Sequence, residues 1–392
     1  MSSLAEALRP LVDSQLVPGL VGAVGRGDDL DVVVLGDMAV DGRPMGRDSL
    51  FRIASLTKPM VAALALTFVA DGSLDLDEPV GRLLPELAAP AVVRTPSGPV
   101  DDTVPAVRPI TLRHLLTSTN GHGFPSDFSA PVAQLLVDGL VQGPPEPQRV
   151  PPPDEWMAIL GGIPLLHQPG DGFTYNTAFD ILGVLLARAG RTALPALMAS
   201  RLLGPLEMQT TGFAFPDRSE GRRTSHYRHE DGELVEVDGP DGQWARVPAF
   251  ASGAGGLVST LDDVLAFQRM LLDGGGDLLP EALVTEMMSD QLTPTVRSTD
   301  SVFLDGQSWG FGGSVDIATG NPWNEIGRFG WVGGTGTSAY VVPSDGSIAV
   351  LLTQVELGGP TGSDVIEGFW TAAAEHLGGE SAARTGAASS DN

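Results

Sequence analysis

Residues 56–70, beginning Leu56-Thr57-Lys58-Pro59-Met60 and ending Phe68-Val69-Ala70, have helical spacing and are apolar almost all the way round. A helix of that kind has no face to give to water, so it must be buried on all sides. A chain of 392 residues, 42% hydrophobic and 18% charged, is large enough to enclose it, as one large domain or as two lobes. The uninterrupted apolar part, residues 60–70, is far short of the roughly 20 residues that a membrane helix needs. At the N-terminus, Met1-Ser2-Ser3-Leu4-Ala5-Glu6 shows neither the basic region nor the apolar region of a signal peptide. The expectation is a cytoplasmic protein with no membrane partner.

The same run holds Lys58, the only lysine in the chain, all other members of the 23 Lys and Arg residues being Arg. Arg can replace Lys wherever a solvated charge is wanted, but it keeps its proton near neutral pH, whereas a desolvated Lys can lose one. A solitary Lys is therefore a candidate for proton chemistry, set against an accident of composition. The 49 acidic side chains bring the net charge to −26, and no stretch is markedly basic, which excludes nucleic acid as a partner. With no cysteine, thiolate nucleophiles, disulfides and Cys metal sites are excluded too.

Along the chain, residues 4–12 have helical spacing. Residues 20–24 and 30–35 read as two strands joined across 26–29. From 73 to about 250 helices dominate, at 109–117, 132–140, 156–160, 178–189 and 194–203. Two Pro-rich segments interrupt them, 92–109 and 143–153, the second with six prolines in eleven positions. Such stiff loops suit a rim or lid better than a linker. Strands return at 308–317, 327–332, 337–342 and 347–353, the pattern of an antiparallel meander, followed by a helix at 363–377. The expected fold is α/β of the α+β type. An antiparallel sheet flanked by helices is built from both chain ends, residues 1–72 and 250–377, around an inserted, mainly helical lobe, 73–249. Residues 378–392 read as a disordered tail.

Three constellations carry chemistry. In Phe51-Arg52-Ile53-Ala54-Ser55-Leu56-Thr57-Lys58, the lone Lys follows a serine by three residues at the head of the buried helix. One helical turn puts hydroxyl and amine on one face, and burial lowers an amine's pKa until it can take the serine proton. Tyr175-Asn176-Thr177 precedes a strong helix and holds one of three tyrosines, a proton shuttle if it lies beside that amine and otherwise a packing residue. Trp331-Val332-Gly333-Gly334 ends a strand, where glycines permit close approach to a substrate carbonyl or simply make a turn. No H-E-x-x-H or Walker A pattern occurs, which removes zincins and P-loop enzymes. The six histidines show no compelling metal spacing, and neither metal nor cofactor is expected.

Together, Ser55-x-x-Lys58, Tyr175-Asn176-Thr177 and Trp331-Val332-Gly333 resemble the motifs of the serine β-lactamase-like, penicillin-binding-protein-like superfamily. Within it the chain is most similar to the class C-like branch that includes the family VIII carboxylesterases. Residues 110–117 and 255–263 are similar to its connecting segments. The resemblance implies an acyl-enzyme on Ser55, with Lys58 and Tyr175 as the proton-transfer pair. The backbone N–H groups of Ser55 and Gly334 would form the oxyanion hole, and Trp331, Gly333, Asn176 and Thr177 would contact substrate. Trp331 stands where the β-lactamases carry Lys or His, which points to neutral or apolar acyl groups rather than penicillin-like anions. The leading expectation is a serine hydrolase of small-molecule carboxylic esters. The alternatives are a β-lactamase, D-peptidase or other amide hydrolase, an acyltransferase, and a silent binding protein on the same fold.

Overall fold

A computed structural model describes residues 3–359 and 363–389. Its main sheet has seven strands, ordered Asp29–Gly36, Gly19–Arg26, Ser347–Leu352, Thr337–Val342, Phe329–Gly333, Ser314–Val315 and Ser308–Trp309, with every neighbouring pair antiparallel. The N-terminal hairpin therefore completes a C-terminal meander, with Val21 opposite Leu352 and Arg26 opposite Ser347. Successive residues of a strand point to opposite faces, yet seven consecutive residues of Gly19–Arg26 and five of Thr337–Val342 are buried. Both faces of the sheet are thus covered. Helices Leu4–Asp13, Leu261–Leu272 and Asp364–Ser389 pack on it.

The apolar helix forms over Thr57–Ala70, and every residue from Thr57 to Phe68 is buried. Pro59 falls in its first turn, where a missing N–H costs nothing. The helix packs against Thr177–Gly190 and Glu281–Met287. Among the described residues, no single helix is long and apolar enough to cross a membrane.

Three local expectations change. The strand foreseen over 308–317 is two short pieces, Ser308–Trp309 and Ser314–Val315, because the glycine-rich stretch between them turns, with Gly312 at φ +82°. The first Pro-rich segment holds a small hairpin, Ala91–Val93 with Thr103–Pro105, rather than irregular loop alone. The tail foreseen as disordered from 378 instead continues the last helix through Ser389. Residues 390–392 of that tail lie outside the described residues. A further hairpin, His226–Glu230 with Glu233–Asp238, stands in the segment read as mainly helical.

Candidate active site

The two-residue strand Phe51–Arg52 pairs with Val258–Ser259 and runs into the 3-10 turn Ala54–Leu56. Ala54 has φ +43°, a left-handed backbone that costs an L-residue energy and persists only where its surroundings hold it. The kink presents Ser55 at the head of the helix. One turn on, the Lys58 Nζ donates to Ser55 Oγ at 2.7 Å, Asn176 Oδ1 at 2.9 Å and the Ala254 carbonyl at 2.7 Å. Its side chain is fully buried, and desolvation lowers the pKa to about 7 against the Coulombic pull of Asp180. Three acceptors match the three protons of an ammonium. When one proton is lost, only the serine hydroxyl can reverse its role, since an amide oxygen and a backbone carbonyl accept and cannot donate.

Tyr175 and Asn176 lie just before helix Thr177–Gly190. Asn176 adopts φ +82° and ψ −68°, and the Thr177 N–H closes back on the Tyr175 carbonyl at 3.2 Å. This is a tight turn of the rare, strained γ type. Like Ala54, it sits immediately beside a candidate reactive side chain. The Tyr175 hydroxyl accepts from Trp331 Nε1 at 2.6 Å, and Ser55 is close enough to work against the effect of burial on its pKa. Burial raises its pKa to about 12, so it is a phenol at any ordinary pH. Indole N–H only donates, so the phenol proton is not spent on Trp331. The Lys58 Nζ lies 4.5 Å from the centre of the Tyr175 ring.

Behind these groups is a network that sequence reading missed. Asp180, buried on helix Thr177–Gly190, accepts from Gln142 Nε2 at 2.8 Å, Ser252 Oγ at 2.7 Å and the Ala254 N–H at 3.1 Å. Gln142 Oε1 accepts in turn from Asn176 Nδ2 at 2.9 Å and Thr177 Oγ1 at 3.1 Å. Asp180 thereby fixes Ala254, whose carbonyl holds Lys58, and its charge opposes the lowering of the Lys58 pKa. Its own pKa is raised by burial, a cost its three donors and Lys58 offset only in part.

The third motif lies where strand Phe329–Gly333 ends against the Ser55 turn. Strand alternation divides it. Val332 and Gly334 line the cleft with Ser55, while Trp331 and Gly333 fall on the other side. The expectation that Trp331 contacts substrate is therefore corrected: it is buried, packs edge-on against Trp309 at 4.7 Å between ring centres, and its polar contact is the Tyr175 hydroxyl. Gly333 is likewise behind the wall. A Cβ there would stand 2.4 Å from the Ile53 carbonyl oxygen, so only glycine lets the strand meet the nucleophile segment. Thr177 is fully buried with its hydroxyl on Gln142, away from the cleft. Asn176 does line the cleft. Trp331→Phe keeps an aromatic, though smaller, side chain and removes the donor. Its kcat is expected to fall about tenfold, the equivalent of about one hydrogen bond, with KM little changed in steady-state kinetics.

The cleft encloses about 370 Å³, within the range of small-molecule sites. Phe124, Phe128 and Phe303 form one aromatic wall, with Phe303 stacked on Tyr175 at 4.3 Å. The second Pro-rich segment forms another through Pro144, Pro145, Pro147 and Val150, so it is a rim as its stiffness suggested. The first Pro-rich segment contributes no lining residue. Among the described residues, the charged lining side chains are Glu146, Asp180 and Glu356, and none of the lining residues is Lys, Arg or His.

Comparison with known proteins agrees with this geometry. The model of the beta-lactamase family matches residues 4–366. The uncharacterized protein MT1414 of Mycobacterium tuberculosis is 36% identical over 89% of this chain and 88% of its own length. Esterase EstB of Burkholderia gladioli is 33% identical over 82% of this chain and 81% of its own. Among solved structures, EstCE1, described as a hydrolase with promiscuous acyltransferase activity, superposes with a TM-score of 0.78 at 23% identity, covering 95% of this chain and 97% of that one. The chain belongs to the β-lactamase family and is one of its serine hydrolases.

Proposed function

We propose that this serine hydrolase cleaves carboxylic esters of neutral small molecules through an acyl-enzyme on Ser55. The observation that carries the reading is a serine hydroxyl held at 2.7 Å by an amine lowered to about 7, in the same site as a phenol raised to about 12. Environments that push two titratable groups in opposite directions identify a base and an acid. Lys58 is accordingly the acylation base. Ser55 Oγ attacks the ester carbonyl carbon as its proton passes to Lys58 Nζ. The backbone N–H groups of Ser55 and Gly334 receive the developing oxyanion. The carbonyl-to-alkoxide bond breaks as the Tyr175 phenol protonates the leaving oxygen. In the second half, water attacks the Ser55 ester and gives its proton to the Tyr175 phenolate, and Lys58 returns a proton to the departing Ser55 Oγ. Protons balance over the cycle.

The cleft's lining supports the substrate class. Carboxylates at the cleft, with no Lys, Arg or His among its described lining residues, disfavour the anionic head of a penicillin-like compound. Turnover of p-nitrophenyl butyrate beside little or no turnover of nitrocefin is the expected result, and the reverse preference would refute the ester reading. An alcohol can replace water in the second half-reaction, and the description of EstCE1 as both hydrolase and acyltransferase supports that second reading. We also propose that residues 73–249 act as a lobe closing the cleft, supported by Gln142 and Tyr175 facing Ser55 and Gly334 across it.

A further inference from the structure

Two N–H groups form an oxyanion hole only at a set separation, and here they come from segments far apart in the chain. We propose that Thr335 and Thr337 are positioning residues that set the spacing between the Ser55 and Gly334 N–H groups. They do so by tying the turn that carries Gly334 to the backbone just before the nucleophile. The proposal rests on the reading of Ser55 and Gly334 as the oxyanion site.

The Thr335 hydroxyl donates to the carbonyl of Arg52, and the Thr337 hydroxyl to the carbonyl of Ile53 at 3.0 Å. Both threonines are buried, 1% and 0% exposed, so neither bond is diluted by solvent. A hydroxyl has one proton, and each is committed to the nucleophile segment. Between them, Gly333 brings the strand into direct contact with the Ile53 carbonyl, as its missing Cβ requires. From Ile53 the chain passes through the single left-handed residue Ala54 to Ser55. A displacement at Ile53 is therefore passed to the Ser55 N–H across one strained residue, with little room for relaxation.

The other side of the turn is anchored independently. The Gly334 carbonyl accepts from the Leu357 N–H at 2.9 Å, and the Gly336 carbonyl from Thr353 Oγ1 at 2.7 Å. Among the described residues no backbone carbonyl takes the Gly334 N–H. With its carbonyl held from behind, that N–H is left toward the cleft. The nucleophile strand also has its own anchor, since the buried Arg52 guanidinium pairs with Asp238 and donates to the Thr224 carbonyl at 2.7 Å. Each segment is thus fixed in its own surroundings, and the two hydroxyls decide how they stand relative to each other.

The test uses Thr335→Val and Thr337→Val, which keep shape and remove the donor, with Thr335→Ser as the conservative control. Three quantities are measured on each: kcat and KM for p-nitrophenyl butyrate, the rate of Ser55 labelling by a fluorophosphonate, and Tm. The valine variants are expected to lose about ten- to a hundredfold in kcat and in labelling rate, since both need the oxyanion site, with KM within about twofold of wild type. The pH at half-maximal kcat/KM should not move, because no contact of Lys58 is altered, and Thr335→Ser should regain most of the loss. Valine variants that label and turn over at the wild-type rate, or a loss that Thr335→Ser does not relieve, would overturn the proposal. A wild-type protein that fails to label at Ser55 overturns the proposed function and this inference with it, whereas normal wild-type labelling with unaffected variants overturns the inference alone.

Discussion

Lys58→Arg is expected to lower kcat at least about a thousandfold, a loss at the upper end of what one general base contributes. A guanidinium keeps its positive charge and can still donate to Asn176 and Ala254, but it cannot take the Ser55 proton near neutral pH. Lys58→Met, which fills the buried site without charge, should be as inactive, so the result does not hinge on fitting a larger head group. The wild-type pH profile supplies the matching sign. Lys58 must be neutral to act, so kcat/KM should rise through about pH 7 and be lost as pH falls below it. Tyr175, raised to about 12, stays a phenol across the whole working range and puts no alkaline limit there. Steady-state kinetics from pH 5 to 9 checks both variants and wild type. Substantial activity in Lys58→Arg would remove the amine from the mechanism.

Asp180→Asn should move the acid limb of that profile toward lower pH. The Asp180 carboxylate opposes desolvation and holds the Lys58 pKa up, so removing its charge lets the amine lose its proton in more acid solution. The variant should also be less stable, by about 1–3 kcal/mol, because an amide cannot accept every bond that Gln142, Ser252 and Ala254 now donate. Its kcat should fall as well, since Ala254 also holds Lys58. The limb is the informative reading. A group that only supports the loop would lower kcat and Tm and leave the limb in place.

Much of this was legible in the chain, for identifiable reasons. The hairpin at residues 19–36 and the strands at 329–352 declare themselves by β-branched runs between tight turns, and the buried helix by being apolar all round. The Ser55 to Lys58 contact follows from helical spacing alone. Trp331 was recognised as a departure at the right position, but its direction was misjudged. Strand alternation from Gly334 would have placed it behind the cleft, since residues 331 and 333 share the face away from residues 332 and 334. Asp180 also left a signal, a lone acid within the apolar run of residues 178–186, which burial makes costly unless it is paired. Gln142, Ser252 and Ala254 left none. They come from loops, and only tertiary packing brings them to Asn176, Asp180 and Lys58. The left-handed backbone at Ala54 and Asn176 was equally hidden, because neither is a glycine and both conformations are imposed by the surroundings.

The central claim is a covalent acyl-enzyme on Ser55, and intact-mass spectrometry after mixing with p-nitrophenyl butyrate or a fluorophosphonate tests it most directly. One adduct per chain is expected on wild type, mapped by peptide analysis to Ser55, and none on Ser55→Ala. An adduct that survives in Ser55→Ala, or turnover of the ester by that variant at the wild-type rate, would contradict it.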